Sequence, residues 1–170
     1  TGVPVLCEIP SHSTGTPVGE NPRGFETDVF TFTRIRYTSA RRAWGRRSGS
    51  WSTDCPDSDL NLSYRLQQMT SMKCSPDGRI IELTEEGLAA YPWIYIVEAG
   101  AMTFSEAEVA ALRKYLLNGG FLMVDDFHNP REWATFMNGM LRMDPGTQAV
   151  ELADGDPMFQ AVYNLDKRIR

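Results

Sequence analysis

The chain has 170 residues, of which 42% are hydrophobic and 23% charged, and this fits one globular domain that buries about 70% of the surface of its unfolded chain. A net charge of −5 and an isoelectric point near 5.1 give an overall field that repels nucleic acid, so we expect no nucleic-acid partner. No apolar run reaches the roughly 18 residues of a membrane-spanning helix, so we expect no transmembrane segment.

Residues 1–28 are rich in proline, glycine, serine and threonine, which predicts an extended arm ahead of an α/β domain at residues 29–170. The arm is either disordered or packed on this or another subunit. The chain begins at Thr1 rather than methionine, which indicates either that the sequence is a piece of a longer chain or that a signal peptide has been removed. We expect the second, and with it an exported protein of the periplasm or cell envelope. It ends in a basic run without a terminating signal, which makes the domain a candidate for truncation at its C-terminus.

Residues 30–37 are rich in aromatic and β-branched side chains and predict the first strand, followed by a long loop at residues 38–57. Large aromatic side chains beside arginine are typical of interface hot spots, so we expect a protein partner or a homo-oligomer to bind here. The alternative is that these arginines are solvated or paired with the chain's own carboxylates. The candidate interface residues are Arg36, Arg41, Arg42, Trp44 and Trp51.

The next elements are a helix at residues 58–72 and a short strand at residues 79–83. Leu62, Leu66 and Met69 recur at helical spacing and predict the face that packs on the core. Nearby aspartates suit the start of the helix, where carboxylates cap free amides.

The three cysteines match no zinc spacing, so we expect no structural zinc. Cys55 and Cys74 either bridge across the intervening helix, leaving Cys7 over, or stay free.

Two apolar runs, residues 93–97 and 121–124, predict buried parallel strands. Ser105 and Glu108 form a capping-box pattern that opens a helix between them, and Gly119 stops it. Asn129 as N-cap and Pro130 at the first helical position start a further helix. This alternation predicts a three-layer αβα sandwich with a mostly parallel sheet in flavodoxin-like order. Side chains at helical spacing predict a core-facing stripe on the last helix: Trp133, Phe136, Met137, Met140 and Leu141.

Carboxylates follow two of these strands, Glu98 after the first run and Asp125 and Asp126 after the second. Open α/β sheets bind their ligands at the carboxyl ends of strands, so we expect these side chains to share one rim. Oxygen ligands of this kind suit Mg²⁺ or Ca²⁺, and His128 lies near enough to act as a general base. The alternative is that the carboxylates pair with Arg36 and Arg41. We expect no metal or cofactor, with Mg²⁺ or Ca²⁺ at Asp125 and Asp126 as the alternative.

Five segments between residues 30 and 165, FTRIRY, WSTDCPDSDLNLSYRLQQMTSM, YPWIYIVEAG, LRKYLLNGGFLMVDDFHNPREW and VELADGDPMF, resemble the bacterial domain of unknown function 4159. The resemblance implies the fold of the class I glutamine amidotransferase-like superfamily. Amidotransferases place a nucleophilic cysteine at the sharp turn after the strand that is equivalent to residues 121–124. Here Asp125 or Asp126 stands in that place, so the resemblance does not carry amidotransferase chemistry.

Members of this family look like exported or membrane-anchored bacterial proteins, which implies work in the cell envelope. We therefore expect a non-catalytic binding or scaffold subunit of an envelope assembly, including peripheral association with a membrane complex. The alternative is a hydrolase or carbohydrate-active enzyme that uses Asp125 and Asp126, with or without a divalent cation, together with His128 and Glu98.

Overall fold

The computed structural model describes residues 28–39 and 51–161, and these form an α/β fold with a four-stranded parallel sheet and three α-helices. The predicted α/β class and parallel sheet are therefore confirmed. The strands are β1 (Thr33–Ile35), β2 (Arg79–Ile81), β3 (Trp93–Val97) and β4 (Phe121–Asp125), and the helices are α1 (Asp57–Met69), α2 (Glu106–Leu117) and α3 (Pro130–Met143). Almost all of the predicted arm, residues 1–28, lies outside the described residues, and so do Arg41, Arg42 and Trp44.

The strands follow the spatial order β2-β1-β3-β4, and every neighbouring pair is parallel. β3 and β4 pair in register over five positions, from Trp93 beside Phe121 to Val97 beside Asp125. β2 lies on one side of β1 and β3 lies on the other, so the order in which strands are added reverses between β1 and β3. In open α/β sheets this switch point opens a crevice at the carboxyl ends of the strands, and ligands bind there.

α1 covers one face of the sheet, and its inward residues differ from the predicted ones. Asp59 and Ser63 are buried, whereas Met69 is 45% exposed, so the predicted apolar face is only partly correct. The reason is Arg34 of β1, which is fully buried beneath the helix and takes Asp59 as its partner. Leu62 packs on the same side against an aromatic cluster of the sheet.

α2 and α3 cover the opposite face around β3. Ile94, Ile96 and Leu112 have no exposed surface there, and they share one core with Phe136 and Met143. The helix starts are as the sequence predicts. Ser105 and Glu108 form the full capping box of α2, and Asn129 accepts hydrogen bonds from two amides of α3. Gly119 has a φ of +90° after α2, as predicted for a helix stop.

β4 differs from its prediction as a buried strand. It is the last strand among the described residues, and Phe121 and Met123 are 58% and 40% exposed. Apolar composition alone does not separate a central strand from an edge strand, because position in the sheet depends on which strands pair with it. On α3, Trp133 and Leu141 are each 41% exposed, so the predicted stripe is not wholly buried.

The cysteines follow neither of the two predicted alternatives completely. Cys74 is a free, buried thiol, whereas Cys55 is disulfide-bonded, so a bridge between these two cysteines is excluded. Among the residues that the structure describes, no helix combines the length and the apolar character of a membrane span.

Candidate functional site

Three acidic residues with left-handed backbone mark the carboxyl-end rim of the sheet. Glu98 follows β3 with a φ of +50°, and Asp126 follows β4 with a φ of +62°. Asp54 has a φ of +56° and comes directly after Thr53, whose hydroxyl donates to Glu98. This conformation costs most residues other than glycine about 1–2 kcal/mol, and aspartate adopts it more readily than most. Such conformations cluster at functional sites, so these residues define the candidate site.

Hydrogen bonds across the switch point fix Glu98. The Tyr37 hydroxyl donates to the carbonyl oxygens of Val97 and Glu98 at 2.8 and 3.0 Å, which ties the end of β1 to the end of β3. Thr53 Oγ1 donates to Glu98 Oε1 at 3.0 Å, and the Glu98 amide donates to the Asp125 carbonyl oxygen at 3.0 Å. The Glu98 carboxylate is therefore held in one place at the rim.

Arg34 supports this arrangement from below. Its guanidinium bonds the Asp59 carboxylate through Nε and Nη2, and Nη1 donates to the carbonyl oxygens of Trp51 and Thr53 at 2.8 and 3.0 Å. The guanidinium carbon also lies 5.2 Å from the centre of the Tyr95 ring. Because Thr53 in turn bonds Glu98, the buried ion pair holds the loop that positions the rim carboxylate.

Asp125 and Asp126 are both exposed at the end of β4. Asp125 Oδ1 accepts from the Asp126 amide at 2.9 Å, and within the described part of the chain neither carboxylate forms an ion pair. The two carboxylates also affect the pKa of Tyr95, which is raised to about 12. Burial is the largest cause, Asp125 and Asp126 raise the pKa further, and Arg34 lowers it. The two aspartates are thus available to a ligand.

The other predicted site residues lie in different surroundings. His128 has a half-exposed side chain, its amide donates to Glu132 Oε2 at 3.0 Å, and its Nδ1 lies 3.8 Å from the same oxygen. Arg36 forms an exposed ion pair with Glu82 at 2.9 Å instead of pairing with the rim aspartates. Trp51 is half-buried and packs against the core. Within residues 28–39 and 51–161, no three acidic, histidine or cysteine side chains converge in a geometry that would hold a metal ion.

Sequence reasoning missed Arg34, Asp59, Tyr95 and Thr53 as parts of the site. One signal was present, because an arginine within a run of aromatic and β-branched residues has to find a buried carboxylate. The identity of that carboxylate was not readable, since Asp54, Asp57 and Asp59 all precede or open the same helix.

Tyr95 provides a test of this electrostatic environment. A pKa raised to about 12 means that the folded chain holds the phenolic proton more tightly than the unfolded chain does, whose tyrosine titrates near pH 10. We therefore expect titration of Tyr95 to leave the free energy of unfolding unchanged below pH 10. Between about pH 10 and about pH 12 it should lower the free energy of unfolding as the pH rises.

Urea unfolding at pH 8 and pH 11 measures this effect. Tyr95→Phe should reduce the loss of stability between the two pH values, whereas the control Tyr64→Phe, at a tyrosine that is 44% exposed, should leave it unchanged. Equal losses in the parent chain and in Tyr95→Phe would contradict the assignment.

Comparison with protein families gives a match over most of the chain. The family described as domain of unknown function (DUF4159) matches residues 31–170. The chain belongs to the DUF4159 family. The match spans every strand and helix of the DUF4159 domain described above, including both strand ends that carry the rim carboxylates. No curated protein matches it significantly.

Proposed function

We propose that this DUF4159 domain is a non-catalytic binding or scaffold module with the three-layer, flavodoxin-like fold of the class I glutamine amidotransferase-like superfamily, working in a bacterial envelope assembly. The β2-β1-β3-β4 order supports this fold, since flavodoxin-like sheets begin with the same order. The packing of α1 on one face and of α2 and α3 on the other supports the three layers.

The observation that carries the proposal is the turn after β4. Asp126 occupies it in left-handed backbone. In the proposed fold, Asp125 or Asp126 stands at the turn where amidotransferases hold their nucleophilic cysteine. A carboxylate cannot perform thiol chemistry. Cys74 is no substitute, because it pairs with Phe30 ahead of β1, at the amino end of the sheet, and burial raises the pKa of its thiol.

The chemistry of the rim indicates the partner. Glu98, Asp125 and Asp126 present negative charge around the switch point, and in the described part of the chain none of them pairs with a basic side chain. A basic segment of a protein partner complements such a surface. Arg36, Arg41, Arg42, Trp44 and Trp51 remain the proposed second contact region.

An envelope location agrees with the state of the cysteines. Cys55 is disulfide-bonded, and disulfides persist in oxidising compartments such as the bacterial periplasm. This supports an exported domain, and association with a membrane complex from the periplasmic side is part of the same proposal.

The second candidate function is a hydrolase or carbohydrate-active enzyme that uses Asp125 and Asp126, with or without Mg²⁺ or Ca²⁺. The observation that favours it is the exposure of both carboxylates beside a left-handed turn at the ligand-binding end of the sheet. His128 would then act as general base, although its position beside Glu132 draws its ring toward α3.

The double variant Asp125→Asn/Asp126→Asn separates the two functions. For a binding module we expect a free energy of unfolding unchanged or raised by about 0.5 kcal/mol, because repulsion between adjacent exposed charges is relieved. We also expect weaker cross-linking to the envelope partner in cells, with no change in Mg²⁺ or Ca²⁺ titrations. The control is Glu86→Gln, which removes an exposed carboxylate near Pro92, Gly119 and Gly120, at the amino ends of β3 and β4. Ester, amide or glycoside hydrolysis that disappears in the Asp125→Asn/Asp126→Asn variant would instead establish the enzyme.

A further inference from the structure

Cys55 lies in the turn that holds the rim carboxylate Glu98. Its amide donates to the Ser52 carbonyl oxygen at 3.2 Å, which closes the turn. Thr53, within the turn, donates from Oγ1 to Glu98 Oε1 at 3.0 Å. Asp54 follows with a φ of +56°, so the turn has a conformation that its surroundings must support. The position of the Glu98 carboxylate therefore depends on the turn that carries Cys55.

The described residues support this turn from the interior. Arg34 donates to the Thr53 carbonyl oxygen at 3.0 Å and forms the buried ion pair with Asp59. Cys55 Sγ lies 3.9 Å from Asp59 Oδ2, and its side chain is half-buried. The disulfide of Cys55 is thus a second constraint on the same turn, beside the ion pair.

The number of cysteines identifies the partner of Cys55. The chain has three cysteines, and Cys74 is a free thiol. Cys74 lies beside Phe30 at the amino end of the sheet, whereas Cys55 lies at the carboxyl end, before α1. The 13 residues of α1 span about 20 Å, and a disulfide needs Cα atoms within about 7 Å. Cys7 is the cysteine that is left, and it lies outside the described residues.

The length of the chain allows this pairing. Asp28 is the first described residue and precedes β1, at the amino end of the sheet. The intervening residues 8–27 can span at most about 70 Å. The strand β3 has five residues, about 17 Å, so the segment is long enough to reach the carboxyl end of the sheet.

We propose that Cys7 and Cys55 form a disulfide that fixes the amino-terminal segment at the carboxyl-end rim, and that this bond is a redox-sensitive support of the turn that holds Glu98. Its formation removes two protons and two electrons from the two thiols. A disulfide of an exchange partner takes them up and becomes two thiols, as in an oxidising compartment. Reduction reverses the exchange and leaves the turn with its interior support alone. The pairing stands by itself, whereas its effect on partner binding rests on the proposed function.

Peptide mapping without reduction tests the pairing on the full chain. Trypsin releases residues 48–65 as the peptide of Cys55 and residues 74–79 as the peptide of Cys74. We expect the first to be joined to the peptide that carries Cys7, and the two to separate on reduction. The second should carry a free thiol, and the intact chain should run as a monomer on a non-reducing gel.

Cys7→Ser tests the support of the turn. We expect the Cys55 amide to exchange its hydrogen severalfold faster in this variant, because the turn loses one of its two constraints. Reduction of the parent chain should have the same effect without any substitution. The control is Cys74→Ala, which removes the free thiol and should leave exchange at Cys55 unchanged. Cross-linking to the envelope partner in cells should weaken severalfold in Cys7→Ser and stay unchanged in the control.

Three results would overturn the inference. They are a bond from Cys55 to any cysteine other than Cys7 of the same chain, no bond at Cys55 in protein purified without reductant, and exchange at Cys55 that is the same before and after reduction. Each leaves the proposed function standing if cross-linking still depends on Asp125 and Asp126. If cross-linking is independent of these aspartates while the bond and its effect on exchange are found, the rim proposal fails and the disulfide remains.

Discussion

Replacing Arg34 with methionine is expected to lower the free energy of unfolding by about 3–5 kcal/mol, the cost of leaving a buried charge without its partner. Arg34 and Asp59 have no exposed side-chain surface, and the guanidinium also satisfies the carbonyl oxygens of Trp51 and Thr53. Methionine has a comparable length and no donors. The variant therefore leaves one carboxylate and two carbonyl oxygens short of hydrogen bonds in the interior.

Urea unfolding followed by tryptophan fluorescence measures the loss. The matched control is Arg36→Met, because Arg36 pairs with Glu82 at the surface with half of each side chain exposed, and we expect it to cost about 1 kcal/mol or less. The double variant Arg34→Met/Asp59→Leu should recover most of the stability, since it removes both charges together. A loss for Arg34→Met no larger than that of the control would show that the pair is hydrated in solution.

The same variant links the core to the rim. Without Arg34, the carbonyl oxygen of Thr53 loses its donor, and the hydroxyl of Thr53 is what holds Glu98. We expect partner binding in Arg34→Met/Asp59→Leu to weaken even where stability recovers. This would identify Arg34 as a positioning residue of the rim rather than a contributor to stability alone.

Replacing Phe136 with alanine is expected to cost about 3–5 kcal/mol, because a ring is removed from a packed interior and the surroundings close only partly over the cavity. Phe136 is 6% exposed and lies at the junction of the core with an apolar groove beside β4, which Leu122 and Val124 also line. Its ring centre is 5.3 Å from that of Phe127 and 6.1 Å from that of Trp133. The variant therefore removes core packing and the floor of the groove together.

Leu141 on the same helix provides the control, since it is 41% exposed and Leu141→Ala should cost about 1 kcal/mol or less. Phe136→Leu should cost less than Phe136→Ala because more of the volume is kept. The check is the midpoint of chemical unfolding together with hydrogen exchange in α3. Equal effects of Phe136→Ala and Leu141→Ala would contradict the position of Phe136 in the core.

Local patterns predicted the elements of this domain. The serine and glutamate that open α2, the asparagine and proline that open α3, and the glycine after α2 all act through neighbouring backbone amides and φ angles. Alternation of apolar strands and amphipathic helices in chain order gave the parallel sheet, because parallel neighbours need a crossover between them. The resemblance of five segments to one family was confirmed by the match over residues 31–170.

Burial and pairing were decided by the tertiary structure. Leu62, Leu66 and Met69 satisfy helical spacing, yet α1 turns Asp59 and Ser63 inward, because a charge on β1 needs a partner and spacing does not reveal that need. The disulfide state of Cys55 was equally beyond the sequence, since cysteine spacing left several pairings open.

The paired aspartates after β4 show most clearly which features the sequence determines and which depend on the tertiary structure. The sequence by itself determined that two carboxylates follow an apolar strand. Only the tertiary structure decided that Asp126 takes left-handed backbone, that Glu98 is held beside them through Thr53, and that β4 lies at an open edge of the described sheet. Strand ends from distant parts of the chain meet only when the sheet assembles, so the rim and its open edge belong to the fold and not to any one segment.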